Sequence, residues 1–140
     1  MKKIAVLLAG ALLGAAMPSG AQDYYSKNVG LMKRIPGGTY QRDANPANLS
    51  SIREFRLCTT EVSAAVFAMV MGYDPRKTAM IGLAEPVGEI SWNEAIDFCN
   101  KLSQLEGLTP FYRVNPENPN SYATVPDWTA NGYRLPTETE

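Results

Sequence analysis

The stretch Pro86-Val87-Gly88-Glu89-Ile90-Ser91-Trp92-Asn93-Glu94-Ala95 closes a loop and opens a helix. Ser91 and Glu94 stand three residues apart, the spacing of a capping box. In that motif the serine hydroxyl accepts from the glutamate amide while the glutamate side chain reaches back to the serine. Ala95, Phe98, Cys99 and Leu102 then recur at helical spacing and make one apolar face. Gly107 follows the last turn as a stop, and Leu108 is placed to fold back onto Leu102. The pattern predicts a helix from about Trp92 to about Glu106.

Toward the N-terminus a second helix has equally clear ends. Ser63 is a good N-cap, and Val62 with Phe67 has the spacing of a hydrophobic staple. Phe67, Val70 and Met71 form its apolar face, and Gly72 terminates it. Before it, Phe55-Arg56-Leu57 alternates like a strand with one buried face. Residues 43 to 51 are rich in Asp, Asn, Pro and Ser and read as a loop. Val29 to Ile35, the turn Pro36-Gly37-Gly38 and Thr39-Tyr40-Gln41 predict a β-hairpin. Residues 22–28 read as a loose polar lead-in.

Toward the C-terminus, Thr109 to Asn131 holds Pro110, Pro116, Pro119 and Pro126. A loop of that length is uncommon in a compact domain unless it has a role. Phe111, Tyr112, Tyr122 and Trp128 are suited to pin it to a surface. Gly132-Tyr133-Arg134-Leu135-Pro136 then leads to Thr137 and Glu140, again at capping-box spacing, as at the start of a helix.

Composition narrows the chemistry. The chain has 140 residues, no His, two Cys and a formal net charge of −1. Without His there is no Ser-His-Asp or Cys-His pair and no His-ligated zinc. Two Cys cannot build a four-cysteine zinc or iron–sulfur site. Near-neutral charge without basic clusters argues against nucleic acid as a partner. No GxGxxG or Walker sequence occurs. Asp43, Asp74 and Asp127 lack the spacing of an EF-hand loop.

Lys2 and Lys3 precede an apolar run from Ile4 to Ala16, and Ser19-Gly20-Ala21 supplies small residues at a cleavage site. These are the three regions of a secretory signal peptide, residues 1–21. The run is too short to span a bilayer comfortably, so no membrane span is expected after cleavage. A secreted or periplasmic location follows, with a compartment that permits disulfides.

Taken in order, several segments resemble the formylglycine-generating enzyme, or sulfatase-modifying-factor, family. They are Ile35 to Tyr40, Thr60 to Ser63, Val70 to Gly72, Pro86 to Ala95, Phe98 to Ser103, Glu106 to Pro110 and Gly132 to Glu138. The resemblance implies an α+β fold with C-type-lectin-like topology. Family members continue past the last motif, so residues 29–140 look like the N-terminal part of such a domain, incomplete at its C-terminus. Active members oxidise a sulfatase cysteine to formylglycine with oxygen and a copper ion held by a cysteine pair. That pair and the usual calcium-binding residues lie in the C-terminal half. The resemblance therefore assigns no catalytic, cofactor-binding or metal-binding residue here, and copper and calcium belong to full-length members.

Cys58 and Cys99 do not match the family's catalytic cysteines. Packing in the core is the default for Cys99 on its apolar face. A Cys58–Cys99 disulfide is the open alternative. Trp92 is suited to pack on a sheet or to stack on a ligand, Glu138 and Glu140 to cap a helix, and Arg134 to meet a carboxylate. The leading reading is an exported sulfatase-modifying-factor-like protein, inactive alone, whose partner is a sulfatase or another exported protein. The alternative is a non-catalytic C-type-lectin-like module that binds a peptide or glycan through the 109–131 loop, with Trp128 and Tyr122. A third reading is an incomplete gene product without activity. Half of a shared core would leave Phe67, Phe98 and Leu102 uncovered, which predicts marginal stability.

Overall fold

A computed structural model describes residues 9–10, 22–76, 82, 84–114 and 124–140. In chain order its elements are β1 (Ala9–Gly10), β2 (Tyr24–Ser26), β3 (Gly30–Ile35), β4 (Gly38–Gln41), β5 (Leu49–Ile52) and β6 (Phe55–Cys58). Helices α1 (Ala64–Met71) and α2 (Trp92–Leu105) follow, then β7 (Tyr112–Val114), β8 (Thr124–Pro126) and β9 (Tyr133–Arg134). The expected α+β class is the one formed. Its main antiparallel sheet has the order β2-β3-β6-β1-β9, flanked by two-stranded ladders β4-β5 and β7-β8.

Both helix starts form as their sequences dictate. Ser63 Oγ accepts from the Val66 amide at 3.3 Å, and Gly72 closes α1 at φ 82°. Ser91 Oγ accepts from the Glu94 amide at 3.2 Å, and Glu94 Oε2 accepts from the Ser91 amide at 2.7 Å, completing the capping box. Each such cap is worth about 1 kcal/mol because it satisfies donors the helix cannot. The predicted face of α2 is the buried one: Ala95, Phe98, Cys99 and Leu102 all turn inward. Phe67 of α1 stacks on Phe98 of α2 with ring centroids 5.4 Å apart. Met32 and Cys58 from the sheet, and Tyr133 from β9, complete this core.

The hairpin expected from residues 29–41 does not form. β3 pairs with β2 and β6, while β4 pairs with β5, Gly38 opposite Ile52 and Gln41 opposite Leu49. The chain turns a corner at Gly37, where an added Cβ would lie 3.0 Å from the Glu54 backbone nitrogen. Leu49 to Ser51, read as loop, are therefore strand. The lead-in is also partly strand: Tyr24 to Ser26 pair with Met32 to Gly30, because β3 offers an edge beside them. In β6 the buried residues are Phe55 and Cys58, with Leu57 half-buried opposite Ala9 and Lys33.

The 109–131 segment is not one long loop. Tyr112 to Val114 pair with Pro126 to Thr124, and residues 115–123, with Tyr122, lie outside the described residues. The expected leader also lies outside them except for Ala9 and Gly10. Phe67, Phe98 and Leu102 are fully buried, which overturns the expectation that they lack cover. The two helices and the sheet close over them within the described residues. Among those residues no helix is long and apolar enough to cross a membrane.

Candidate functional site

Beside β6 and β9 lies a cavity of about 860 Å³. Phe55 and Arg56 line it from one side, and Phe111, Trp128, Arg134 and Glu140 from the other. Its floor is set by packing around Arg134. This guanidinium is 5% exposed and lies 5.6 Å from the Phe111 ring centre and 5.4 Å from that of Trp128. The two rings meet edge to face with centroids 5.0 Å apart. Arginine faces on aromatic rings are favourable because the cation meets the negative π-cloud.

Glu140 completes the arrangement. Arg134 donates to both of its carboxylate oxygens at 2.5 Å and to the Leu135 carbonyl at 3.1 Å. Burial pushes the Glu140 carboxyl up, but the Arg134 hydrogen bond and the Thr137 amide outweigh it and hold it below the usual value. The Glu140 carboxylate also accepts from the Thr137 amide at 2.9 Å, and Thr137 Oγ1 accepts from the Glu140 amide at 3.3 Å. The capping-box bonds expected from sequence thus form, on a turn. Arg134, left undecided by sequence, has its carboxylate six residues on.

The aromatic wall is fixed from behind. Asn100 of α2 pairs with the Tyr112 backbone, donating at 2.8 Å and accepting at 3.1 Å. The Leu135 amide donates to the Tyr112 hydroxyl at 3.0 Å. Burial pushes that phenol up to about 12, so it stays protonated. The Phe111 carbonyl accepts from the Asp127 amide at 2.7 Å, and Arg113 pairs with Asp127. The Thr129 hydroxyl and amide hold Asp127 below the usual carboxylate range. Gly132 lets β9 pass close to α2: an added Cβ would sit 2.3 Å from the Thr109 carbonyl oxygen and 2.5 Å from Ser103 Oγ.

A second polar centre lies at the end of α2. Glu106 accepts from Ser26, Asn28 and Tyr133 at 2.6 Å each and from Tyr24 at 3.2 Å. Burial raises its carboxyl, but these four donors outweigh burial and hold it below the usual glutamate value. The four donors come from β2, the following turn and β9, so this carboxylate joins both edges of the main sheet. Sequence reading missed it. Its signal was an acid at the end of a helix, where the dipole alone would disfavour it.

The other sequence candidates are dispersed. Trp92 is half-exposed and meets the Tyr112 ring edge-on at 6.4 Å. Asp43 closes the β4–β5 turn by accepting from Asn45 and Asn48. Asp74 pairs with Arg76, and Glu138 approaches Arg42 at 4.0 Å. Cys58 and Cys99 are buried thiols with no disulfide between them. Burial drives the Cys99 thiol far above its ordinary value, so it holds its proton. A copper site needs accessible thiolates, and this pair does not fit one. Among the described residues no three His, Cys, Asp or Glu side chains gather to hold a metal.

These elements define an antiparallel α+β domain whose irregular connections carry an aromatic-walled cavity. The model of the sulfatase-modifying factor enzyme 1-like domain matches residues 21–140, and the chain belongs to that family. A chaperone protein LppX of Paenibacillus barcinonensis is 34% identical over 119 residues, which cover 76% of this chain and 41% of the relative. The solved Treponema denticola variable protein 1 is similar with a TM-score of 0.69 and 27% identity, over 85% of this chain and 54% of that one. The chain thus spans about two fifths of the curated relative's length and about half of the solved neighbour's.

Proposed function

We propose that this chain is an exported sulfatase-modifying-factor-type domain that acts by binding another exported protein, a sulfatase or a further secreted polypeptide. On this reading its 140 residues do not themselves oxidise cysteine to formylglycine. The observation that carries the second half is the burial of both cysteines, with the Cys99 proton held in place. Thiol oxidation and copper binding both start from thiolate. The first half is supported by the cavity, where the half-exposed Trp128 offers a large apolar face beside charged groups. Such apolar clefts with a few convergent polar groups are the common form of a binding site. The similar chaperone protein LppX is, by its name, a protein that attends other polypeptides. Lys2, Lys3 and the apolar run after them support export.

The test is oxygen uptake by the purified chain with copper and a cysteine-containing sulfatase peptide. The expected rate equals that of copper and peptide alone, and copper-dependent turnover overturns the non-catalytic reading. Peptide and glycan arrays test binding. Saturable peptide binding that Trp128→Ala weakens supports the proposal. Saturable glycan binding in its place would favour the lectin-like alternative.

A further inference from the structure

β6 and β9 are not hydrogen-bonded to each other. β1 alone connects them, with Ala9 between Leu57 and Arg134 and Gly10 between Arg56 and Tyr133. Those two residues lie within the segment read as a removable leader. Removing them leaves two facing strand edges with unpaired backbone groups, a template for an incoming strand. The slot also leads somewhere. A strand in the β1 register that runs on past the Gly10 position goes by Phe55, Glu54 and Arg53 on one side and by Gly132 and Ala130 on the other. Phe55, Glu54, Arg53 and Ala130 all line the aromatic cavity.

We propose that the slot between β6 and β9, together with this cavity, is an acceptor site for an extended segment of a partner polypeptide, added antiparallel to both strands. The inference rests on the proposed export, which removes β1, and deepens the proposed binding function by naming its site. In the uncleaved chain Ala9 and Gly10 hold the two paired positions inside the slot. A bulky apolar side chain one residue further on, opposite Phe55, falls on the face that carries Phe55 and Arg134 and so toward the cavity with Phe111 and Trp128. Arg53 has no ion-pair partner among the described residues and lines the same cavity, which favours an acidic residue beyond it. In the uncleaved chain β1 is an intramolecular competitor, held at high effective concentration by its tether.

The test uses the full chain and a lysine-tagged peptide carrying residues 5–14. In an Ala9→Pro, Gly10→Pro variant the chain's own strand cannot pair, since proline lacks the amide donor. Amide exchange in β2 and β3 reports whether this variant is folded. The expected result is saturable binding to the variant at least tenfold tighter than to the native chain. Exchange at Arg56 and Arg134 slows on binding, since alternation along β6 turns the Leu57 amide to β3 and the Arg56 amide to the slot, and a peptide with the same two prolines is inactive. Equal binding to both chains, no binding to the folded variant, or binding that leaves Arg56 and Arg134 exchange unchanged overturns the site. If the variant does not fold, excess peptide on the native chain decides: faster exchange at Ala9 and Gly10 with Arg56 still protected supports the site, and no change at Ala9 overturns it. Copper-dependent turnover in the oxygen assay would sink the non-catalytic reading and leave this site standing. A peptide that fails here removes the site and leaves that reading standing.

Discussion

The Tyr133 hydroxyl donates to Glu106 Oε2 over 2.6 Å, tying β9 to the end of α2. Tyr133 is 1% exposed, so this hydrogen bond closes a polar gap inside the core. Glu106 takes three further donors there, two of them on β2. One carboxylate therefore holds together segments that are about 80 residues apart.

Glu106→Ala strands the donors that now meet on the carboxylate. Hydrogen bonds to charged groups contribute about 1.5–3 kcal/mol each, and an orphaned buried donor adds its desolvation cost. A loss of roughly 3 kcal/mol is expected in urea unfolding. Tyr133→Phe should cost about 1 kcal/mol, and the double variant less than the sum, because the two side chains share one bond.

Acid should weaken the fold through Glu106 and Glu140. Each carboxyl titrates at 4.5 when unperturbed and lower in the folded chain. The unfolded chain therefore takes up protons first as pH falls. This part of the stability is complete above the unperturbed value and is lost as pH drops through the folded values. Chemical denaturation from pH 7 to pH 3 should show a plateau and then a decline below about 4.5. Glu106→Gln should flatten that decline.

Gly132→Ala should be badly tolerated. The new methyl would meet the Thr109 carbonyl and Ser103, whose Oγ accepts from the Tyr133 amide at 2.8 Å. Backbone on one side and a committed hydroxyl on the other leave no room to yield. Overpacking of this kind costs about 1–3 kcal/mol, and the upper end is expected in thermal unfolding.

Glu140→Gln should leave the Arg134 charge uncompensated among Phe111 and Trp128. Breaking one partner of a buried ion pair costs roughly 3–5 kcal/mol. Arg134→Lys should be milder in charge but lose the paired hydrogen bonds and the ring stacking. Both are read by the midpoint of urea unfolding.

Cys58 and Cys99 should resist alkylation at pH 8 in the folded chain and react fully in urea. Burial withholds both access and, at Cys99, the thiolate. Rapid labelling of native chain would show that the thiols are reachable, and would reopen the copper reading.

Much of the candidate site was outside the reach of sequence reading. Trp128 and Phe111 were legible as aromatic anchors of a segment that needed them. Their convergence on Arg134 was not, because a cation and two rings carry no spacing rule once they lie in different turns. Arg134 and Glu140 could be named separately, as a charge near a core motif and a helix-start acid. Their bidentate pairing is a property of the turn through Pro136 and Thr137.

The amino-acid order alone determined both helices, their caps at Ser63 and Ser91, the buried face of α2 and the family. Capping and helical periodicity are local, so the residues that satisfy them lie within one or two turns of each other. The tertiary structure decided which strands pair: β4 with β5 rather than β3, Tyr24 to Ser26 onto β3, and Ala9 and Gly10 between β6 and β9. Alternation marks a strand but does not name its neighbour, since pairing is chosen by which distant edge remains unsatisfied and which core it can cover. Glu106 and its four donors follow the same logic: each is an ordinary polar residue until the folded chain brings them to one point.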